Sequence, residues 1–261
     1  MRVTEFNLHR AVAVVTGGAG GIGRALAARL AAEGAGVAIV DLDPLAAAHA
    51  AAQWPGAIGV GADVSDPAAV HAMVEQVESE LGPIDVYCSN AGVATGGALG
   101  DDEAWNLSWR VHGMAHIYAA REVLPGMQTR GSGAFVVTAS AAGLLMMMQS
   151  APYTVTKHAS VAIAEWLAVT YGGQGVQVHC VCPQGVRTPM LASDPRGESE
   201  VALSGRVIEP SEVADAMMVA IRANRFLVLP HPEVQGYEKR KVEDRDRWLS
   251  AMRRLLARIT S

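Results

Sequence analysis

A chain of 261 residues, half of them hydrophobic and 18% charged, is long enough to bury a large core and too apolar to stay disordered. Its net charge of −5 argues against a general nucleic-acid binder, and no apolar run approaches the ~18 residues of a membrane span. Three cysteines, Cys88, Cys180 and Cys182, are too few and too oddly numbered for a disulfide framework.

The opening "MRVTEFNLHR" lacks the apolar core of a signal peptide, so a cytoplasmic protein is expected. A strand-like run, "AVAVVT", then leads into "VVTGGAGGIGRALA" at 14–27. Its glycines admit two registers: G-x-G-x-x-G through Gly18, Gly20 and Gly23, or T-G-x-x-x-G-x-G through Thr16, Gly17, Gly21 and Gly23. Either sets a close-approaching backbone before a helix N-terminus, where a pyrophosphate can sit. A helical pattern follows, then the strand "GVAIV", with Asp41 directly after it and 18 positions beyond Gly23. A carboxylate there accepts both hydroxyls of an adenosine ribose and repels a 2′-phosphate, which points to NAD over NADP.

The alternation continues. "AIGVGA", "IDVYCS", "GAFVVT", "VQVHCVC" and "FLVL" read as further strands, with helical patterns at 44–54, 67–82, 103–127, 153–171 and 211–223 between and around them. Strands that are nearly continuous apolar runs suit a parallel sheet covered on both faces. The predicted fold is therefore α/β: a doubly wound, Rossmann-like parallel sheet of seven strands with helices on both faces. In "VQVHCVCP", Cys180 and Cys182 share one strand face with no second ligand cluster nearby, so they read as core and no metal is expected. Residues 1–261 read as one NAD-binding domain, with 232–261 a C-terminal helical extension. Residues 238–258 carry eight Lys/Arg and four Asp/Glu, and Trp248, Met252, Leu255, Leu256 and Ile259 recur at helical spacing. One amphipathic helix is expected, docked on its own domain or on another subunit.

Polar landmarks stand at successive strand ends: "SNAG" at 89–92, "TASAAG" at 138–143, "YTVTK" at 153–157 and "PQGVRTP" at 183–189. Open α/β sheets bind ligands there. Tyr153 and Lys157 are four apart, so one helix face presents both, and an ammonium beside a phenol favours the phenolate.

With these motifs in place the chain resembles the short-chain dehydrogenase/reductase family from about Arg10 to Pro230. Thr16, Gly17, Gly21, Ile22 and Gly23 match its glycine loop, Asn90, Ala91 and Gly92 its N-A-G, and Ser140, Tyr153 and Lys157 its serine and Y-x-x-x-K. The resemblance selects the Thr16 register and implies roles. Asp63 and Val64 would hold the adenine, and Asn90 to Gly92 would line the cofactor's central path. Pro183, Val186 and Thr188 would surround the nicotinamide end, and Lys157 would bind its ribose. Tyr153 would exchange a proton with the substrate oxygen, which Ser140 would orient. The family also implies a homodimer or homotetramer, a small-molecule substrate, and neither a nucleic-acid nor a membrane partner.

Two positions depart from the family pattern. Gln184 replaces the glycine that usually follows the proline, and either touches substrate or merely fills the place. His112 falls on an asparagine that holds a relay water in the family. It either continues the relay, titrating near pH ~6.5, or is a core histidine. Between Ser140 and Tyr153, "AAGLLMMMQSAP" contributes three methionines and no Lys or Arg, so a neutral, fairly hydrophobic secondary alcohol or its ketone is expected. Val93, Leu144, Leu145, Gln149, Gln184 and Met190 are the candidate wall residues. The alternatives are a C=C or C=N reductase on the same scaffold, or a catalytically impaired NAD-binding regulator or scaffold.

Overall fold

The computed structural model describes residues 6–193 and 205–260. Seven parallel strands form one sheet: β1 (Val12–Thr16), β2 (Gly36–Asp41), β3 (Ile58–Gly61), β4 (Ile84–Ser89), β5 (Gly133–Thr138), β6 (Val176–Val181) and β7 (Leu227–Val228). Their order is β3-β2-β1-β4-β5-β6-β7. The chain winds outward from β1 to β3, returns to β4 and winds the other way, so its topological switch point lies between β1 and β4.

Side chains alternate between two apolar layers. Val12 and Val14 of β1 face one, with α3 (Pro67–Leu81), α5 (Ala115–Arg130) and α6 (Ala151–Tyr171). Ala13 and Val15 face the other, with α1 (Gly21–Ala32), α2 (Pro44–Ala51) and the helix Pro210–Ala223, here α8. Two short helices, α4 (Asp102–Trp109) and α7 (Pro189–Ala192), flank the C-terminal end of the sheet, and α9 (Glu233–Glu243) and α10 (Arg245–Thr260) follow β7. Cys180 and Cys182 lie in the core with their sulfurs 3.7 Å apart, and Cys88 is buried in the opposite layer. Among the described residues no cluster of metal-ligating side chains is found, and no helix is long and apolar enough to cross a membrane.

Most helices begin on a capping side chain. The Asp43, Asp66 and Asp101 carboxylates accept from the first turns of α2, α3 and α4, and the Ser150 hydroxyl accepts from Tyr153 of α6. Helix α1 has only Gly20 there, with no side-chain bond. Its first N–H groups are thus left facing the end of the sheet beside the switch point.

Two helical expectations are modified. The pattern at 103–127 is broken by a π-helical turn, Arg110–Met114, between α4 and α5. Gly113 lies within that turn, and the Ser160 hydroxyl of α6 donates to the His112 carbonyl at 2.7 Å. The C-terminal pattern is two helices, not one. Asp244 has an extended backbone and accepts the Arg247 N–H at 2.9 Å, so it closes α9 and caps α10.

Candidate active site

The Ser140 hydroxyl closes a short 3-10 turn by accepting the Ala142 N–H at 3.1 Å, which directs the serine across to α6. A Cβ on Gly143 would come within 2.4 Å of the Lys157 carbonyl, so the turn and α6 touch backbone to backbone. Ser140 and Tyr153 both line a cleft beside this contact. Lys157 is buried, its ammonium donating to the Thr138 carbonyl at 3.0 Å and standing 5.7 Å from the Tyr153 ring centre. Burial lowers the Lys157 pKa to about 8. The same burial raises that of Tyr153, opposed by the nearby Ser140 hydroxyl. In the protein alone desolvation wins, and the phenol keeps its proton.

A cleft of about 650 Å³ runs from Asp41 past Asn90 to these residues. All the proposed nucleotide contacts line it: Gly17, Gly21, Ile22, Gly23, Asp41, Asp63, Val64, Asn90 to Gly92, Tyr153, Lys157, Pro183, Val186 and Thr188. Its edges are tied together. Thr16 Oγ1 accepts the N–H groups of Asn90 and Ala91, and the Asn90 amide donates back to the Thr16 carbonyl at 2.9 Å. Asp41 accepts the Ala19 N–H at 3.0 Å, drawing the glycine loop against the end of β2.

Comparison with known proteins agrees with this arrangement. The family model for short chain dehydrogenases matches residues 11–199. The 1-deoxy-11-beta-hydroxypentalenate dehydrogenase of Streptomyces exfoliatus is 35% identical over 242 residues, 88% of this chain and 86% of the relative. The meso-2,3-butanediol dehydrogenase of Serratia marcescens is 36% identical over 215 residues, 79% of this chain and 85% of the relative. The chain belongs to the short-chain dehydrogenase family. Among solved structures, the NAD complex of a family member from Burkholderia phymatum has a TM-score of 0.85 at 29% identity, covering 92% of this chain and 96% of the other.

The chain thus belongs to a family of oxidoreductases. The glycine loop fits a dinucleotide and favours the Thr16 register through Gly17 and Gly21, although Gly18 of the rival is also tight, a Cβ there falling 2.7 Å from the Val15 carbonyl oxygen. A Cβ on Gly23 would lie 2.1 Å from the Gly17 carbonyl oxygen, while Gly17 and Gly21 hold φ of +61° and +53°. Gly20, needed by the rival register, has nothing within 4 Å. Gly21 also meets Thr188, 3.2 Å from where its Cβ would be, so the loop after β6 closes over the glycine loop.

His112 lines the cleft but is fully committed. Thr156 already donates its hydroxyl proton to the Pro152 carbonyl, so His112 Nδ1–H donates to Thr156 Oγ1 at 2.9 Å and Nε2 accepts the Val93 N–H at 3.1 Å. Burial first, then the Lys157 charge, hold its pKa well below the usual histidine value. The expected titration near neutrality is therefore corrected: His112 stays a neutral imidazole, set edge-on to the Tyr153 ring at 5.4 Å. His112→Asn should keep activity without altering the pH profile between about 5.5 and 7.5. His112→Ala should slow turnover, since it strands the Val93 N–H at about 1–3 kcal/mol. Steady-state kinetics across pH checks both.

One turn on, His116 is buried, bonded through Nδ1 to Ser89 Oγ at 2.6 Å, and its pKa falls to about 3 through desolvation and then Lys157. Both histidines are neutral in the fold and protonate when it opens, so the unfolded state binds more protons below pH ~6.5. Stability should be full above that pH and fall beneath it by up to about 1.4 kcal/mol per pH unit for each histidine. Melting temperature against pH, compared with a His112→Asn/His116→Gln variant, should show a flatter acid limb in the variant.

The wall residues divide. Val93, Gln149, Gln184 and Met190 line the nucleotide cleft, and Leu145 lines a second cavity of about 680 Å³ that shares Ser140, Met147 and Gln184 with it. Leu144 is a correction: it lines neither cavity, because the 3-10 turn aims it into the apolar layer beneath α6. Met146, Met147 and Met148 line the second cavity together with Trp248, Met252 and Leu255, so α10 brings its stripe beside Ser140. Two supporting residues carry no local sequence signal. His231 accepts the Gln184 N–H at 3.1 Å and so fixes the loop after β6. Lys241 donates to the carbonyls of Leu144 and Leu145, at 2.5 and 2.9 Å, and ties α9 to the loop after Ser140.

Proposed function

We propose that the protein is an NAD-dependent oxidoreductase that interconverts a bulky, largely apolar secondary alcohol and its ketone. The observation that carries this reading is the convergence of Ser140 and Tyr153 with the buried Lys157, whose ammonium stands 5.7 Å from the Tyr153 ring centre, where the nucleotide cleft meets the second cavity. Bound NAD supplies the redox chemistry, taking up the hydride in oxidation and returning it in reduction. Tyr153 moves the proton of the substrate hydroxyl, Ser140 orients that oxygen, and Lys157 supplies the positive charge that favours the phenolate. His112 acts as a positioning residue, holding the Val93 backbone and the edge of the Tyr153 ring.

The intact trio favours turnover over a purely regulatory role, and the hydroxyl-bearing substrates in the names of the two relatives favour alcohol chemistry over C=C or C=N reduction. Exposed Trp166 and Val169 on α6 (61% and 87%) support a homo-oligomer. One domain spanning 1–261, with its C-terminal extension over the site, and a cytoplasmic location complete the reading. The test is NADH formation over a panel of bulky secondary alcohols. Turnover confined to activated alkenes or imines would overturn it, as would no turnover of any alcohol.

Asp41 carries the coenzyme preference in this reading: it lines the cleft at the end of β2, which supports a ribose contact at which a 2′-phosphate would meet like charge. Leu42 is 73% exposed, so a basic side chain fits there without repacking. Asp41→Ser/Leu42→Arg should shift the NADP/NAD ratio of kcat/KM towards NADP by on the order of 100-fold. Initial rates with both coenzymes check it, and an unchanged ratio would remove Asp41 from the ribose.

A further inference from the structure

Between Ser140 and Tyr153 the sequence offers no cation to a substrate, which is why a neutral one is expected. The fold changes that ground. Four charged side chains from α9, α10 and the residue between them, Arg240, Glu243, Asp244 and Arg247, stand along the second cavity beside its apolar wall. Glu243 is paired with Lys239 at 3.6 Å, and Asp244 is engaged in capping α10. Arg240 lies over the Tyr237 ring at 4.9 Å, and among the described residues neither its guanidinium nor that of Arg247 has an ion-pair partner. The segment is also the positive part of an acidic chain, with eight Lys/Arg against four Asp/Glu in 238–258 and a net −5 overall.

We propose that Arg240 and Arg247 form an anion-reading subsite, so that the substrate is amphipathic: an apolar body among the methionines, its hydroxyl carbon at Ser140, and an oxyanion such as a carboxylate at the far end. The inference rests on the alcohol-oxidoreductase reading for the identity of the reacting end. Guanidinium groups suit the task, because their planar donor fork matches an oxyanion and remains charged at every working pH. The subsite is also held in place. Lys241, next to Arg240, is buried, donates to the Leu144 and Leu145 carbonyls and stands 5.3 Å from the Trp248 ring. The stretch of α9 that carries Arg240 is thereby fixed relative to the loop that carries Ser140, and both arginine side chains are exposed. A cavity of about 680 Å³ is of ordinary size for a small-molecule site, with room for an apolar body between the two ends.

The test is calorimetric titration of the NADH-loaded protein with decanoate and with decanamide, which differ in charge and little in shape. Decanoate should bind about 10-fold or more tightly in the wild type, the size of a charge-assisted pair. Arg240→Met/Arg247→Met should abolish that preference and leave decanamide binding unchanged. Arg240→Lys/Arg247→Lys, which keeps the charge, should retain part of the preference and guards against a folding defect. Tyr153→Phe should retain all of it while losing turnover, so the anion subsite and the alcohol chemistry fail separately. Equal affinity for the two probes in the wild type, no binding of decanoate, or a preference that survives in the double methionine variant would overturn the proposal.

Discussion

Tyr153→Phe should lower the rate of alcohol oxidation by about 10³-fold and leave the dissociation constant for NAD within about twofold, since general acid–base groups contribute on this scale. The phenol hydroxyl is the only atom removed. It belongs to the cleft that Ser140 shares with the second cavity, while the aromatic ring keeps its edge contact with His112. Lys157 holds its place through the Thr138 carbonyl, independently of the hydroxyl. Single-turnover kinetics and fluorescence titration with NADH separate the two effects. A variant that kept most of its turnover would transfer the proton to another group.

Gly23→Ala should cost about 2 kcal/mol of fit, the usual scale of overpacking, and roughly 30-fold in NAD affinity. The added methyl would meet the Gly17 carbonyl oxygen at 2.1 Å and the Asn90 amide nitrogen at 2.8 Å. The loop and the strand end that face the nucleotide must then part. Gly20→Ala is the control: its methyl meets nothing within 4 Å, so affinity and melting temperature should stay near wild type. The pair of variants distinguishes the two registers of the glycine loop by experiment. Equal losses at the two positions would return the question to the rival register.

The sheet was legible because its signals are local. Continuous apolar runs such as "GAFVVT" mark strands buried on both faces, and every residue of β5 is buried. The nucleotide cleft was legible for a related reason: parallel strands deliver their C-terminal ends to one edge, so residues just after each run converge whatever the helices do. Leu144 and Leu145 show where this fails, since neighbours in sequence leave a 3-10 turn in opposite directions. The π-helical turn at His112 has no local sequence signal, since the Ser160 hydroxyl that bonds its carbonyl lies 48 residues away. The apolar spacing of the C-terminal segment predicts one amphipathic helix because it continues across Asp244, although the helical backbone does not. Lys241 and the arginines beside the second cavity were illegible for the same cause. Their position depends on contacts with a loop almost a hundred residues earlier, and no local pattern encodes that.

The central claim is that a secondary alcohol surrenders its carbinol hydrogen in this site while Tyr153 takes the hydroxyl proton. The most direct measurement uses a secondary alcohol deuterated at the carbinol carbon, with the NADH produced analysed by mass spectrometry for wild type and for Tyr153→Phe. The account predicts one deuterium in each NADH formed by the wild type, and almost no NADH from the variant. NADH without deuterium, or labelled NADH formed at the same rate by both proteins, would contradict it.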